Sequence, residues 1–437
     1  MKEEAENGRA PLAPSPQRTW FKLDNAAKIY PATYSRTQNH QYRWTATLSE
    51  NVDSDILRSA LAITMPRFPS IAVTLHRGLF WYYFEPTVAV PPIEAEKAYP
   101  LTHRSFREIR RCGFRVLVDG PSLSLEFFHA VSDGSGSITF FKSLLAEYLT
   151  QKYGIAIPCE QGVLDRREPV KAEELEDCFP KFAGPWPQKR SEVKAYQLKD
   201  TLPKEKYLTY TILSYSLKEA LSCAKAHGVT LTGLMCAAMM QALYQIQRNR
   251  ASGSKQREIA IGIPVNLRRL YPSQTLRNFS LCPTANINPN LGEWDFDEIC
   301  QSVRCQMGTL ITRKEMAACA ATNVRTERSL LVRLLPLPLK NLAMKAAYQL
   351  FGNGNCCLSL SNLGEIDLPD VMCEYIRDIR CLMDAHPQSA NSCAMISYAS
   401  TVRMQFCRCY QEPTLEYAFY NVLRGLGLEA GVESNMR

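Results

Sequence analysis

The sequence predicts an α/β fold of two similar halves, each a mixed β-sheet with helices packed on it. Strand-like and helix-like patterns of apolar residues recur along most of the 437-residue chain, in numbers that suit sheets flanked by helices. The fragments Thr45–Ser49 and Thr211–Ser214 are alike, and each leads into a capped helix, which indicates a weak internal repeat. Between the halves lies a charged, proline-rich stretch, which is typical of an exposed connection.

These observations divide the chain into four parts. Residues 1–18 form an acidic, then proline-rich tail that we expect to be disordered. The tail lacks the basic start and the apolar run of a secretory signal. An N-terminal lobe is expected over residues 19–165, an exposed connection over 166–206 and a C-terminal lobe over 207–437. The tail therefore favours a cytoplasmic protein.

The N-terminal lobe alternates strand and helix patterns. It opens with the strand Gln41–Leu48, followed by a helix that Asp53 or Ser54 can cap and that Pro66 ends. Two hairpins and a second amphipathic helix follow. The expected hairpin strands are 71–75 with 79–84 and 114–118 with 123–128, and the helix begins at about residue 137.

The C-terminal lobe begins in the same way, with a strand at 207–215 and a helix capped by Ser216. Further strands are expected at 259–265, 358–360 and 397–406. Residues 228–247 form a long uncharged stretch whose threonines and glutamines favour a buried core helix. A membrane span, by contrast, typically needs about 20 predominantly apolar residues.

A leucine-rich segment, 329–351, has a helical pattern that prolines at 336 and 338 interrupt. Arg333, Lys340 and Lys345 stand among its leucines. We favour a helix that faces the core while these long cations extend towards solvent. A helix lying on a membrane surface is the alternative.

Composition excludes several classes of protein. With 46% hydrophobic and 22% charged residues, the chain has a globular rather than a disordered composition. The net charge of +8 is accompanied by no nucleic-acid motif or long basic run. The 16 cysteines include no Cys-x-x-Cys pair, so we expect no metal site and reduced thiols.

One short motif carries chemistry. His129 ends the apolar strand 123–128 and is followed by Asp133, Gly134 and Gly136, which we place in a loop before a helix. Imidazole titrates near neutrality, so a histidine fixed at a strand end can take a proton from a hydroxyl or an amine and return it. The alternative is a structural histidine before an Asp-Gly turn.

The surroundings of His129 resemble a known family. The segment Phe127-Phe-His-Ala-Val-Ser-Asp-Gly-Ser-Gly resembles the His-x-x-x-Asp-Gly motif of the chloramphenicol-acetyltransferase-like acyltransferase superfamily, which includes nonribosomal peptide condensation domains. The closest resemblance is to bacterial stand-alone alcohol acetyltransferase-like proteins. It also rests on Leu23-Asp-Asn-Ala-Ala-Lys-Ile-Tyr-Pro, Arg67-Phe-Pro-Ser, Gly78-Leu-Phe-Trp-Tyr-Tyr, Pro264-Val-Asn-Leu-Arg, Arg277-Asn-Phe and Ser361-Asn-Leu-Gly.

This resemblance implies a fold, a reaction and roles for residues. The fold is two similar lobes with an active-site tunnel between them. His129 would deprotonate an alcohol or amine, which attacks a coenzyme A thioester such as acetyl-CoA directly, without a covalent acyl-enzyme. The catalytic set would be His129, Asp133 and Gly134. Asp133 would brace the motif by pairing with an arginine, best matched by Arg268 and secondly by Arg277.

The sequence departs from two branches of the superfamily. Condensation domains usually carry two adjacent histidines, whereas Phe128 precedes His129 here, and this disfavours a carrier-protein donor. The Asp-Phe-Gly-Trp-Gly segment of the plant enzymes is absent as well. The expected partners are therefore acyl-CoA and a small alcohol or amine acceptor, with no permanently bound cofactor, no nucleic acid and no membrane-spanning segment.

Weaker candidates surround this motif. Ser361 and Asn362 could line the tunnel or donate hydrogen bonds to a developing oxyanion, or form an ordinary strand-end turn. The coenzyme phosphates could bind to the cations of one loop, although a solvated surface is the simpler interpretation. Those cations are Arg248, Arg250, Lys255 and Arg257.

Two other functions stay open at the level of sequence. A protein of this fold could bind ligands without catalysis, although the intact motif at His129 favours an enzyme. A hydrolase acting on thioesters is the other alternative. The sequence contains no Gly-x-Ser-x-Gly elbow, which argues against a serine hydrolase of that kind.

Overall fold

The computed structural model describes residues 20–188, 194–204, 207–250, 256–349 and 354–436. The expected disordered tail, 1–18, and Lys255 lie outside the described residues. The strands are β1 (Phe21–Lys22), β2 (Gln41–Leu48), β3 (Val73–Arg77), β4 (Tyr82–Pro86), β5 (Ile93–Ala95), β6 (Phe114–Asp119), β7 (Ser122–Phe128), β8 (Thr209–Ser216), β9 (Ile259–Gly262), β10 (Val265–Asn266), β11 (Ser280–Leu281), β12 (Thr284–Ile287), β13 (Leu358–Glu365), β14 (Ile376–Met383), β15 (Asn391–Tyr398), β16 (Thr401–Arg408) and β17 (Gly431–Ser434).

Helices pack on these strands, as the predicted α/β class requires. They are α1 (Ile29–Thr33), α2 (Ser54–Thr64), α3 (Phe106–Arg111), α4 (Gly134–Tyr153), α5 (Phe179–Phe182), α6 (Leu217–Ala226), α7 (Leu231–Arg250), α8 (Phe296–Leu310), α9 (Arg313–Arg328), α10 (Leu330–Leu334), α11 (Leu337–Ala347), α12 (Asp370–Cys373) and α13 (Thr414–Gly425).

Each lobe is built on one principal sheet. The N-terminal sheet has the strand order β14-β2-β7-β6-β5, and the C-terminal sheet has the order β12-β9-β13-β15-β16-β8-β17. Both sheets are mixed: β5 runs parallel to β6, and β13 runs parallel to β9 and β15, among antiparallel neighbours. The predicted fold class, two similar lobes of mixed sheet with flanking helices, is confirmed.

The C-terminal part of the chain contributes one strand to the N-terminal sheet. β14 belongs to the C-terminal part of the chain, yet it pairs antiparallel with β2 and places Cys381 opposite Trp44. The N-terminal sheet is therefore complete only with a strand from the sequence range predicted as the C-terminal lobe. The proposed boundary near residue 207 marks the start of the second sheet but does not separate the lobes completely.

The predicted caps and core helix are present. The side chain of Asp53 accepts from the backbone N–H of Asp55 and Ile56, and that of Ser216 accepts from Glu219, so the strands β2 and β8 each lead into a capped helix. The helix α7 buries 13 of its 20 residues, as expected for a core helix. Among the described residues no single helix could cross a membrane; α6 and α7 qualify in length and composition only as a pair, which is bent by 78°.

Two expectations about exposure are wrong. The connection 166–206 is not exposed throughout: Phe179 is buried, and Glu174 accepts two hydrogen bonds, of 2.6 and 2.8 Å, from the buried guanidinium of Arg67. The leucine-rich segment does not face the core either. α10 buries none of its residues, and α11 buries only Leu337 and Lys340.

The glycines after Asp133 have a different role from the one expected. Gly134 and Gly136 belong to the first turn of α4, rather than to a preceding loop. At Gly134 a Cβ atom would lie 2.6 Å from Cδ2 of Leu363. At Gly136 it would lie 2.0 Å from the carbonyl oxygen of Leu276. Gly136 needs glycine because a backbone oxygen occupies the place of a Cβ atom, whereas at Gly134 the close atom is the end of the Leu363 side chain, which can move.

We expect Gly136→Ala to lower the free energy of unfolding by about 3 kcal/mol, since a rigid backbone oxygen occupies the space for the methyl group. Gly425→Ala is the matched control, because it is a helical glycine whose added Cβ would meet nothing within 4 Å. Urea unfolding measures both. Equal stabilities of the two variants would contradict the close approach at Gly136.

Candidate active site

His129 is held at the end of β7 by backbone and ring contacts. Its N–H donates to the carbonyl oxygen of His40 at 2.8 Å, which fixes the main chain beyond the strand. The imidazole lies between two tyrosine rings, stacked on Tyr30 at 4.6 Å and edge-on to Tyr42 at 5.0 Å between centroids. The ring can therefore rotate very little.

A hydrogen-bond chain sets the tautomer of His129. The Nδ2 group of Asn278 donates to Asp24 at 3.2 Å and to the carbonyl of Ala130 at 3.3 Å, so its Oδ1 must face the imidazole. Oδ1 lies 3.2 Å from Nδ1 of His129, and Nδ1 is therefore the protonated nitrogen. Nε2 is left as the nitrogen that accepts a proton.

The imidazole is held in its neutral form. Burial lowers the pKa of His129, while Asp133 and the hydrogen bond that the ring donates to Asn278 oppose that shift. The same burial raises the pKa of Asp24, and the guanidinium of Arg277 opposes it. A neutral His129 is the form that a general base requires.

Asp133 turns away from the reacting side of the histidine. It is the N-cap of α4, where Oδ1 accepts from the N–H of Gly136 at 3.1 Å. Oδ2 accepts from Arg268 and from the N–H of Phe279, both at 2.8 Å. The carboxylate thereby joins the start of α4 to the segment that also carries Asn278.

The two arginine candidates have separate partners. Arg268 pairs with Asp133, and its Nε also donates to the carbonyl of Thr275 at 2.8 Å. The second candidate, Arg277, pairs instead with the buried Asp24, with Nε 3.8 Å from Oδ2. Each arginine therefore stabilises one side of the loop around Asn278.

A cavity of about 360 Å³ opens between the lobes beside His129. Its walls come from the start of α4, from β13 and from the segment around residues 263–270. Ser135 and Asn266 join the two walls through a hydrogen bond of 2.8 Å. Of the six histidines, all of which the structure describes, His129 is the one that lines this cavity.

The other histidine near the site is poorly suited to act as the base. Burial, with smaller contributions from His386 and His129, lowers the pKa of His40 to about 3. Its Nε2 also lies 2.7 Å from the hydroxyl of Thr33. The geometry therefore favours His129 over His40 as a proton acceptor.

The tunnel candidates Ser361 and Asn362 both line the cavity. They lie within β13, whose register shifts between Asn362 and Gly364. The amide nitrogen of Asn362 already donates to the hydroxyl of Thr232 at 2.6 Å. Of the two side chains, Ser361 is thus the better candidate to donate to a substrate oxygen.

The candidate phosphate-binding cations are partly occupied by acidic neighbours. Arg248 pairs with Glu293, and Arg250 pairs with Asp200. The cavity instead has a cation of its own, the exposed Arg269. Its Nη2 atom lies 3.1 Å from the place that a Cβ atom added to Gly364 would take. No motif or charge cluster in the sequence marks this arginine.

Asp24 and Asn278 are further site residues that pattern analysis did not assign. They lie far from His129 in the sequence, and nothing in their local pattern indicates a role. The signal lay in the segments Leu23-Asp-Asn and Arg277-Asn-Phe, both of which carry part of the family resemblance. Those segments meet at His129 through the hydrogen bonds of Asn278.

We expect Asn278→Ala to lower kcat by about tenfold and to move the acid limb of the pH–rate profile to lower pH. The hydrogen bond that His129 donates to Asn278 raises the pKa of His129, so its loss leaves the imidazole neutral at lower pH. The measurement is kcat against pH. Asn362→Ala is the control, since it lines the same cavity without bonding to His129; an unmoved limb in Asn278→Ala would contradict the assignment.

No protein-family model matches the chain, and no curated protein matches it by sequence. Solved structures do match in fold. Trichothecene 15-O-acetyltransferase from Fusarium sporotrichioides is 11% identical with a TM-score of 0.59, and the match covers 97% of this chain and 99% of that one. The first condensation domain of the CDA synthetase is 14% identical with a TM-score of 0.59, covering 94% and 95%.

A third neighbour was solved with ligands. The starter condensation domain of rhizomide synthetase, a double mutant in complex with C8-CoA and Leu-SNAC, is 13% identical with a TM-score of 0.57, covering 93% and 94% of the two chains. These similarities show that the chain has the two-lobed chloramphenicol-acetyltransferase-like fold of these acyltransferases and condensation domains.

Proposed function

We propose that the protein transfers an acyl group from a coenzyme A thioester to a hydroxyl or amine, with His129 as general base. The observation that carries this proposal is the hydrogen-bond chain from Asp24 through Asn278 to His129. It keeps the proton of the neutral imidazole on Nδ1, so Nε2 is the nitrogen that can accept a proton. The ring lines a cavity between the lobes, where two substrates can meet.

In this mechanism Nε2 takes the proton of the acceptor hydroxyl as its oxygen attacks the thioester carbonyl. The C–O bond forms directly, and the tetrahedral intermediate carries its negative charge on the former carbonyl oxygen. The hydroxyl of Ser361 is the proposed donor to that oxygen. Collapse breaks the C–S bond, and the imidazolium returns the proton to the leaving thiolate, so that His129 is neutral again.

Arg269 supports coenzyme A as the donor. Phosphates bind guanidinium groups through charge-assisted hydrogen bonds, and Arg269 is exposed at the cavity. Tyr30 and Tyr42, by contrast, enclose the histidine with aromatic surface and no added charge. A donor with a charged tail and an apolar acyl thioester fits this distribution.

The test is thiol release from a panel of acyl-CoAs and their N-acetylcysteamine analogues, with pooled alcohols and amines. Arg269→Ala should raise KM for acyl-CoA about five- to tenfold and leave KM for the phosphate-free analogues unchanged. Arg257→Ala is the matched control, because it belongs to the other cationic loop. Should Arg257→Ala rather than Arg269→Ala raise KM, the phosphates bind at that loop.

The same assay separates the competing functions. Thiol release that requires an acceptor supports acyl transfer, whereas equal release without acceptor indicates a thioester hydrolase. Thermal stabilisation by acyl-CoA without turnover indicates a binding protein. If turnover requires an acyl group bound to a carrier protein, the donor is that carrier protein and not coenzyme A.

A further inference from the structure

An apolar surface is concentrated in one part of the molecule. Eighteen large hydrophobic side chains are exposed among the described residues, and eight of them lie on three neighbouring segments. We call these eight the leucine face: Trp20, Leu79, Phe80, Leu330, Leu331, Leu334, Leu339 and Leu342. The leucine face lies outside the cavity of His129 and plays no part in the mechanism above.

Hydrogen bonds join α11 to the hairpin that carries Leu79 and Phe80. The N–H of Leu337 donates to the carbonyl of Leu79 at 2.9 Å, which joins the start of α11 to the tip of the β3–β4 hairpin. Nζ of the buried Lys340 donates to the carbonyl of Phe80 at 2.8 Å. A groove of about 700 Å³ then connects Phe80 with Trp20 and Arg333.

The helices of the leucine face present their apolar side chains outwards. In α10, Leu330, Leu331 and Leu334 are 72%, 85% and 71% exposed. In α11, Leu339 and Leu342 are three residues apart and therefore share one face, which is also exposed. Contiguous apolar surface of this kind marks a site of interaction with another protein or with a membrane.

Unpaired cations surround these leucines. Arg325, Arg328, Arg333 and Lys345 are exposed, and none of them forms an ion pair with a described residue. The segment 325–345 contains a single acidic residue, Glu327, whose carboxylate is held by Lys28 and Asn25. The leucine face thus combines exposed apolar side chains with exposed cations, and the groove beside it is also lined by Glu85 and Glu327.

We propose that the leucine face docks on a lipid bilayer that contains anionic lipids. Exposed leucines can enter the boundary between headgroups and acyl chains while neighbouring arginines and lysines pair with lipid phosphates. A second copy of this chain is disfavoured as the partner, since it would bring the same cations against those of the leucine face. This proposal is independent of the acyl-transfer reaction.

The test is cosedimentation of the full chain with vesicles of phosphatidylcholine plus phosphatidylserine, compared with phosphatidylcholine alone. We expect binding to the anionic vesicles that weakens as salt is raised. The triple variant L330S/L331S/L334S should bind roughly 100-fold more weakly. The variant R333Q/K345Q should lose roughly 30-fold for anionic vesicles only.

The control variant L221S/L291S removes two exposed leucines elsewhere on the surface and should bind like the wild type. The circular dichroism spectrum and the melting temperature of the triple variant should match those of the wild type, which shows that the fold is intact. The proposal is overturned if the wild-type protein does not bind anionic vesicles, or if the triple variant binds them as well as the wild type does. A wild-type dimer that the triple variant converts to a monomer would assign the leucine face to a second copy of the chain.

Discussion

Replacing His129 with alanine should lower acyl transfer by about 10²–10⁴-fold while the protein still folds and binds its thioester donor. A hydroxyl is a weak nucleophile until its proton is being removed, and Nε2 of His129 is the proposed acceptor of that proton. Donor binding does not need the base. The measurements are kcat from thiol release and donor affinity from equilibrium binding.

The pH profile adds a second test of the same residue. The wild-type rate should fall on the acid side as the imidazole gains a proton, and because burial lowers the pKa of His129, the limb should lie below the usual histidine value. The alanine variant should lack this limb. His129→Gln, which keeps a hydrogen-bonding group but no base, should be as slow as His129→Ala.

Direct transfer also predicts kinetics of a ternary complex. Rapid quenching should find no acylated protein, and initial rates should not follow a ping-pong pattern. A trapped acyl group on a serine or cysteine would end the direct mechanism. Near wild-type transfer by His129→Ala would remove His129 as the base.

Local sequence patterns predicted the elements around His129 well, because those patterns depend on neighbours in the chain. The strand 114–118 with its partner at 123–128, and the caps at Asp53 and Ser216, all lie within a few residues of the predicted positions. The start of α4 was placed three residues late. Its first turn contains two glycines, which are unfavourable in helices, and Gly136 is needed there because a backbone oxygen lies so close.

Long-range contacts were the part that patterns could not supply. Asn278 lies 149 residues after His129 in the sequence, and its partner Asp24 lies 105 residues before it. No periodicity in the sequence links these three residues. The prediction that the leucine-rich segment faces the core was wrong for a related reason. A helical pattern of leucines predicts an apolar face, but it does not say whether another element of the chain covers that face.

The largest stability effect is expected from Asp133→Asn. The carboxylate accepts three hydrogen bonds, from Gly136 on Oδ1 and from Arg268 and Phe279 on Oδ2. An asparagine has one acceptor oxygen, so its NH2 group must face either the N–H of Gly136 or the pair of donors on the other side. Arg268 also loses its counter-ion. The free energy of unfolding should fall by about 3–5 kcal/mol.

Activity should fall with it, because the loop that carries Asn278 is no longer held against α4 and His129 loses its orientation. Asp133 is a positioning residue in this account, so kcat should fall more than donor affinity. Full activity with unchanged stability would remove that role. Arg268→Lys is the milder variant, which keeps the charge opposite Asp133 but loses the bond from Nε to Thr275.

A double-mutant cycle identifies the partner of Asp133. Asp133→Asn and Arg268→Ala should be non-additive by about 1–3 kcal/mol, since each removes the same ion pair. Arg408→Ala provides the control, because its buried partner is Glu416, and its effect should simply add to that of Asp133→Asn. Additivity with Arg268→Ala as well would mean that the 2.8 Å pair contributes nothing to stability. The helix cap and the Phe279 N–H would then account for the whole effect of Asp133→Asn.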